Sequence, residues 1–307
     1  MIIRDNLKKE GFLAVFMLIF LVVSFSEGLC QEKATKNETE VKTSAQISKR
    51  AVEKEEKKAS HIKQELNDKA IKAVADTYTV VELLNQKKTK EALELLKKVI
   101  GEMEVILAAN ENVSLIPINS YTVVVDIALG PEEVLKTITE VTKKLTQGDV
   151  QGARILLDTL QSEIDIVIEN LPLATYPDAM KLASKYIIDG KVEEAKSVLQ
   201  IALNSMVVKK IIIPIPLVRA SDLIEEASKI SKTHKEQALK YLDEAKRQLK
   251  LAKVLGYGNE DQKIYRDLQA RIDSIKKEIE GKNEAAKMFE ELIKRLKEFK
   301  KRLMSSE

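Results

Sequence analysis

Four segments of the 307-residue chain repeat one side-chain pattern. Counting from Ala92, Ala153, Ala195 and Ala238, a leucine stands four places on, at Leu96, Leu157, Leu199 and Leu242. Apolar residues recur at offset seven (Val99, Leu160, Ala202, Ala245) and offset eleven (Met103, Ile164, Met206, Leu249). Offsets of 0, 4, 7 and 11 trace one stripe on an α-helix, and the residue before the last position is polar each time, at Glu102, Glu163, Ser205 and Gln248. A helical stretch precedes each copy, at residues 66–85, 132–147, 178–189 and 221–232. Gly148 and Gly190 each stand five places before their alanine, where a helix end uses positive φ. The expected unit is an antiparallel helix hairpin. The expected fold is mainly α, with tandem hairpins packed as a bundle or short solenoid.

Composition supports helix-on-helix packing. Aromatic residues make up only 4% and tryptophan is absent, so a core must come from Leu, Ile, Val and Ala. Three β-branched runs complicate this. Residues 113–125 contain Pro117 and Thr122–Val125, suited to a short strand or β-hairpin, while residues 164–168 and 206–215 read equally as helix ends or extended segments. Near the C-terminus, Ile264, Leu268, Ile272, Ile275 and Ile279 form one helical stripe, and Phe289, Leu292, Leu296, Phe299 and Leu303 form another. Two long antiparallel helices are expected there.

The first 30 residues stand apart. Arg4, Lys8 and Lys9 precede an apolar run from Gly11 to Phe25, and small residues at Ser26 and Gly28 suit cleavage. This is the pattern of a secretory signal peptide, cut near Gly28 or Cys30. The run is shorter than the roughly 20 residues a spanning helix needs. Cys30 is the single cysteine, so no intramolecular disulfide can form, and the exported chain must hold together by packing. Residues 31–59, rich in Lys, Glu, Thr and Ser, read as a flexible charged tether with some helical tendency toward its end. A hairpin-repeat domain is then expected over 60–220, with C-terminal helices packed on it over 221–307.

No chemistry-bearing motif appears. His61 and His234 lack a partner at metal-ligand spacing, and no nucleophile elbow, phosphate loop or dinucleotide fingerprint is present. Adjacent acids such as Glu193–Glu194 and Glu225–Glu226 do not face one another on a helix. The expectation is therefore a non-enzymatic protein with no cofactor or metal site. A net charge of +3 is too balanced for nucleic-acid binding. Two candidate contact regions remain. Tyr121, Pro172, Tyr176, Pro214 and Pro216 can line an apolar ligand groove, and Lys294, Arg295, Lys297, Lys300, Lys301 and Arg302 form a basic face for an anionic surface or membrane.

Tetratricopeptide arrays share the helical offsets, but the alanine spacings of 61, 42 and 43 exceed their 34-residue period and the closing prolines are missing. Four strings in order point elsewhere: Leu145-Thr146-Gln147-Gly148-Asp149-Val150-Gln151-Gly152-Ala153, Leu171-Pro172-Leu173-Ala174, Asp189-Gly190-Lys191-Val192-Glu193-Glu194-Ala195, and Leu251-Ala252-Lys253-Val254-Leu255-Gly256-Tyr257-Gly258. Through them the chain resembles the YfdX family from about residue 65 to about residue 300. The resemblance implies a mostly α, exported or periplasmic, self-associating protein linked to stress, with no assigned catalytic residues. The expected role is holdase-like binding of protein clients or apolar small molecules in the envelope; the alternative is a helical-repeat scaffold for one dedicated partner.

Overall fold

The computed structural model describes residues 41–61, 66–110, 112–258 and 261–304. The signal-peptide segment, Cys30 and the first part of the tether lie outside the described residues. Three times in succession, two helices are followed by one strand. These units are α2 (Asp68–Asn85), α3 (Thr89–Ala109) and β1 (Leu115–Val125), then α4 (Pro131–Thr146), α5 (Val150–Leu157) and β2 (Glu163–Pro172), then α6 (Tyr176–Ile188), α7 (Val192–Leu203) and β3 (Val207–Pro214). Helix α1 (Ser44–His61) precedes them. Helices α8 (Ile215–Ile230), α9 (Lys235–Val254), α10 (Gln262–Glu280) and α11 (Ala286–Met304) follow. The fold is mainly α with a small antiparallel sheet, and Lys42–Glu307 clusters as one unit.

The helix turns are built alike. In all three hairpins one residue takes positive φ: Lys87 (61°), Gly148 (77°) and Gly190 (77°). The amide of the next residue then closes the turn on a carbonyl five places back, from Lys88 to Leu83 (2.9 Å), Asp149 to Lys144 (2.9 Å) and Lys191 to Tyr186 (2.8 Å). Glycine takes this conformation without a Cβ clash, which explains the residue choice in two of the three.

All three β-branched runs are strands. Residues 115–125 form a single strand rather than a local hairpin. Its partner is β2, with Leu115 opposite Pro172 and Val125 opposite Glu163. Strand β2 in turn pairs with β3, Glu163 facing Pro214 and Asn170 facing Val207. The order β1-β2-β3 follows the sequence. Each pairing spans an intervening helix hairpin, so no short-range turn signal announces it.

One face of the sheet, carrying Ile164, Ile166, Ile168 and Ile213, packs with Ala51 and Ala59 of α1 and Val218 of α8. Helix α1 corrects the tether expectation over residues 44–59. Its stripe is hard to see because it consists mostly of alanine, with Ile47 as its large fully buried side chain. Small residues let the backbone approach closely, and two of its charges meet acids on α8, Arg50 with Glu226 (2.8 Å) and Lys54 with Asp222 (3.8 Å).

The second core joins the α2–α3 hairpin to the α6–α7 hairpin. α3 packs on α6 and α2 on α7, and Leu96, Val99, Met103, Met180, Ala195 and Leu199 fill the space between them. In an antiparallel meander, successive connections leave at opposite ends of the sheet. The connections before β1 and after β2 therefore share one end, while the α4–α5 connection, between β1 and β2, leaves from the other.

Candidate functional site

The isolated hairpin is the place where the repeat pattern fails. Its ends are well specified: Pro131 starts α4, the Gly130 amide donates to Glu133 Oε2 (2.9 Å), and Asp149 caps α5 by accepting from the Gly152 amide (2.9 Å). α5 stops after eight residues, because Glu163–Pro172 are taken up by the sheet. The pattern residue Ile164 thus lies in β2, and Leu160 lies between the elements. What α5 keeps buried is Ala153 alone.

Leu157 is 48% exposed, whereas Leu96, Leu199 and Leu242, at the same pattern position, are fully buried. This corrects the expectation that all four leucines fill core space. The cause is topological: Leu96 and Leu199 are each in the core shared by two hairpins, whereas among the described residues α4–α5 packs mainly on α9. The polar offset also misleads, because Glu163 and Gln248 are buried rather than outward.

Further aliphatic groups accompany Leu157. Leu135, Ile138 and Leu145 fall on one edge of α4, and Val150 and Leu157, seven apart, fall on one edge of α5. Leu135, Leu145, Val150 and Leu157 are 44–57% exposed. Pro131, Val134 and Val141 of α4 are buried, with α5 and α9 packed alongside, and Glu132 bonds Lys250 of α9 (2.7 Å). Each helix of the hairpin thus carries half-exposed aliphatic side chains along one edge, while α4 is anchored on α9.

A polar seam ties this end of the sheet to α8 and α9. Asp126 accepts from Ser162 Oγ (2.9 Å) and from both terminal nitrogens of Arg219, while Arg247 donates twice to Glu244 (2.8 Å each). A cavity of about 580 Å³ opens here, lined by Ser48, Val52, Asp126, Arg219, Arg247 and Gln248. Both guanidinium groups face carboxylates, while Lys49, which also lines the cavity, is exposed and reaches Glu53 only at 3.9 Å.

Glu163 lies beside this seam and accepts from the Tyr257 hydroxyl (2.7 Å), which itself accepts from the Ser162 amide (2.9 Å). Burial pushes the Glu163 carboxyl above its ordinary 4.5, against the lowering effect of Tyr257, and the nearby Asp165 charge adds to the rise. A raised folded-state pKa contributes stability that is present below the ordinary value and lost as pH rises through the folded one. Glu163→Gln keeps the acceptor for Tyr257 and removes the charge. Its melting temperature relative to wild type is expected to climb as pH goes from about 4 to about 8. A gap that stays constant or shrinks contradicts this.

The structure does not bring the proposed groove together. Pro172 sits opposite Leu115, while Pro214 sits opposite Glu163 at the other end of β2, roughly 30 Å away at 3.3 Å per residue. Pro216 is buried in the first turn of α8. Tyr176 is fully buried in the α2–α3/α6–α7 core, where burial pushes its hydroxyl up to about 12. Tyr121 is 45% exposed in the middle of β1. Sequence proximity of prolines to tyrosines was the misleading signal, since strand direction separates them.

The basic face of α11 is largely spent on internal pairs. Arg295 meets Asp267 (2.8 Å), Lys297 meets Glu225 (3.1 Å), and Arg302 meets Asp261 (2.7 Å) while lying over the Phe299 ring. Lys300 is half-buried near Asp222 and Glu225, and burial lowers its pKa. Lys294 and Lys301 are exposed. No described helix is long and apolar enough to cross a membrane.

Residues 73–211 match the family model described as YfdX protein. The match covers a little under half of the chain, which is similar to the YfdX family over this stretch. The match begins inside α2 and ends inside β3, so the YfdX domain corresponds to the three helix–helix–strand units, with α1 and α8–α11 outside it. A solved structure of Salmonella Typhi YfdX is 19% identical, over 47% of this chain and 90% of that one, with a TM-score of 0.33. That superposition carries no weight for the fold described above. No curated protein matches the chain.

Proposed function

We propose that this protein, with its YfdX-like stretch, is an exported, non-enzymatic binding protein of the cell envelope, which holds apolar stretches of partly unfolded proteins, or apolar small molecules, under stress. The observation that carries the proposal is the apolar edge of α4–α5, where Leu135, Leu145, Val150 and Leu157 stay about half exposed on a well-anchored hairpin. Aliphatic side chains in a row bind other apolar surface with little sequence selectivity, which suits many clients better than one. The signal-like N-terminal segment supports export, and the internally paired guanidinium groups favour a structural over a catalytic role for the polar seam.

The test is light scattering from insulin whose chains are separated by reduction. Wild type is expected to suppress scattering at near-stoichiometric ratios. Val150→Glu/Leu157→Glu is expected to lose most of that effect, and Ile188→Glu/Ile201→Glu, at exposed sites on α6 and α7, to keep it. Equal suppression by all three proteins, or none by wild type, overturns the proposal. A single stoichiometric partner in crosslinking from cells would favour a scaffold instead.

A further inference from the structure

Helices α1 and α11 both pack on α8, and each brings a lysine-bearing edge to the same place. On α1 the edge is Lys54 and Lys58, four apart; on α11 it is Lys297, Lys300 and Lys301, also within about one turn. All five line one cavity of about 390 Å³ whose floor is α8. This gathering is far from any pattern in the sequence, because α1 and α11 stand at opposite ends of the described chain.

Three carboxylates line the same cavity, and each meets one lysine: Glu55 with Lys58 (3.1 Å), Asp222 with Lys54 (3.8 Å) and Glu225 with Lys297 (3.1 Å). Lys300 and Lys301 are left without an ion pair among the described residues, so the cavity carries two positive charges in excess. Lys301 is exposed and Lys300 half-buried. Burial lowers the Lys300 pKa and Lys58 adds to that, while Glu55, Asp222 and Glu225, each already engaged, only partly offset it. On a freely solvated face, like charges splay into water. Here the packing of two helices on a third holds them together.

We infer that this cavity binds a dianionic phosphate group, held between Lys300 and Lys301 with Lys54 and Lys58 beside it. Two negative charges on one compact group match the excess of two, and ammonium groups bind phosphate as point charges without a fixed fork geometry. The three carboxylates set the upper limit, since a more highly charged polyanion would meet them unpaired. A phosphate seated there bridges α1 to α11 and pins α1 to the body of the molecule. The site is separate from the α4–α5 edge and does not depend on its role.

The test is thermal unfolding of the full chain at about pH 7.5 in about 20 mM phosphate, against sodium chloride of the same ionic strength, which controls for screening. Wild type should melt about 3 °C or more higher in phosphate. Lys300→Met/Lys301→Met should lose that increment, and Lys294→Met, on α11 outside the cavity, should keep it. Methionine keeps the length of the stem and removes the charge, and melting in chloride alone reports that each variant is folded. Phosphate should also slow amide exchange in residues 44–61 and 286–304. Co-sedimentation with phosphatidylcholine vesicles, with and without phosphatidic acid, distinguishes the source of the phosphate: capture by phosphatidic acid that the double variant loses assigns the site to a lipid headgroup, and a response to free phosphate alone assigns it to a soluble ion or ester. No response of wild type in either arm, or an equal response in Lys300→Met/Lys301→Met, overturns the inference.

Discussion

Leu199→Ala is expected to lower the free energy of unfolding by about 2–5 kcal/mol in urea melts, and Leu157→Ala to change it by less than about 0.5 kcal/mol. The two leucines occupy the same position in the repeat. Leu199 is fully buried in the core shared by the α2–α3 and α6–α7 hairpins, so truncation loses transfer energy and leaves a cavity. Leu157 loses contacts on one side only, and water fills the space. Equal costs at the two sites would contradict the topological explanation for the failed copy.

Tyr265→Ala is expected to cost about 3–5 kcal/mol, and Tyr265→Phe about 0.5–1.5 kcal/mol. The ring is almost wholly buried and meets Phe299 edge to face, with centroids 5.1 Å apart, so it joins α10 to α11. Its hydroxyl donates to the Tyr257 carbonyl (2.7 Å), and Tyr257 reaches across to Ser162 and Glu163 at the start of β2. The alanine variant removes the ring and the hydrogen bond; the phenylalanine variant removes only the bond. If both cost the same, the hydroxyl rather than the ring contact dominates, contrary to this account.

How far the sequence spoke for the structure depended on whether the relevant contacts were local. The stripes from Ala92 and Ala238, the first three positions of the stripe from Ala195 and most of the two C-terminal stripes are helix faces that the structure buries, because an i, i+4, i+7 spacing is satisfied within one element; Met206 falls past the end of α7, just before β3. The stripe from Ala153 failed where a strand took over its second half. β-branched residues suit both a packed helix and a strand, and what decided for strands was pairing across some forty residues, as between Val125 and Glu163. Helix α1 was hidden because alanines under charged neighbours resemble a solvated segment in composition. The groove expectation failed because residues close in sequence to a proline need not share an end of the sheet. The α4–α5 edge was visible only as a pattern copy like the others; its exposure follows from the order of strands.

The most direct test is hydrogen–deuterium exchange on the full chain, alone and with reduced insulin. The account predicts that amides of residues 131–157 exchange more slowly when insulin is present, while those of α2–α3 and α6–α7 stay unchanged. Protection confined to other elements, with 131–157 unaffected, would contradict it.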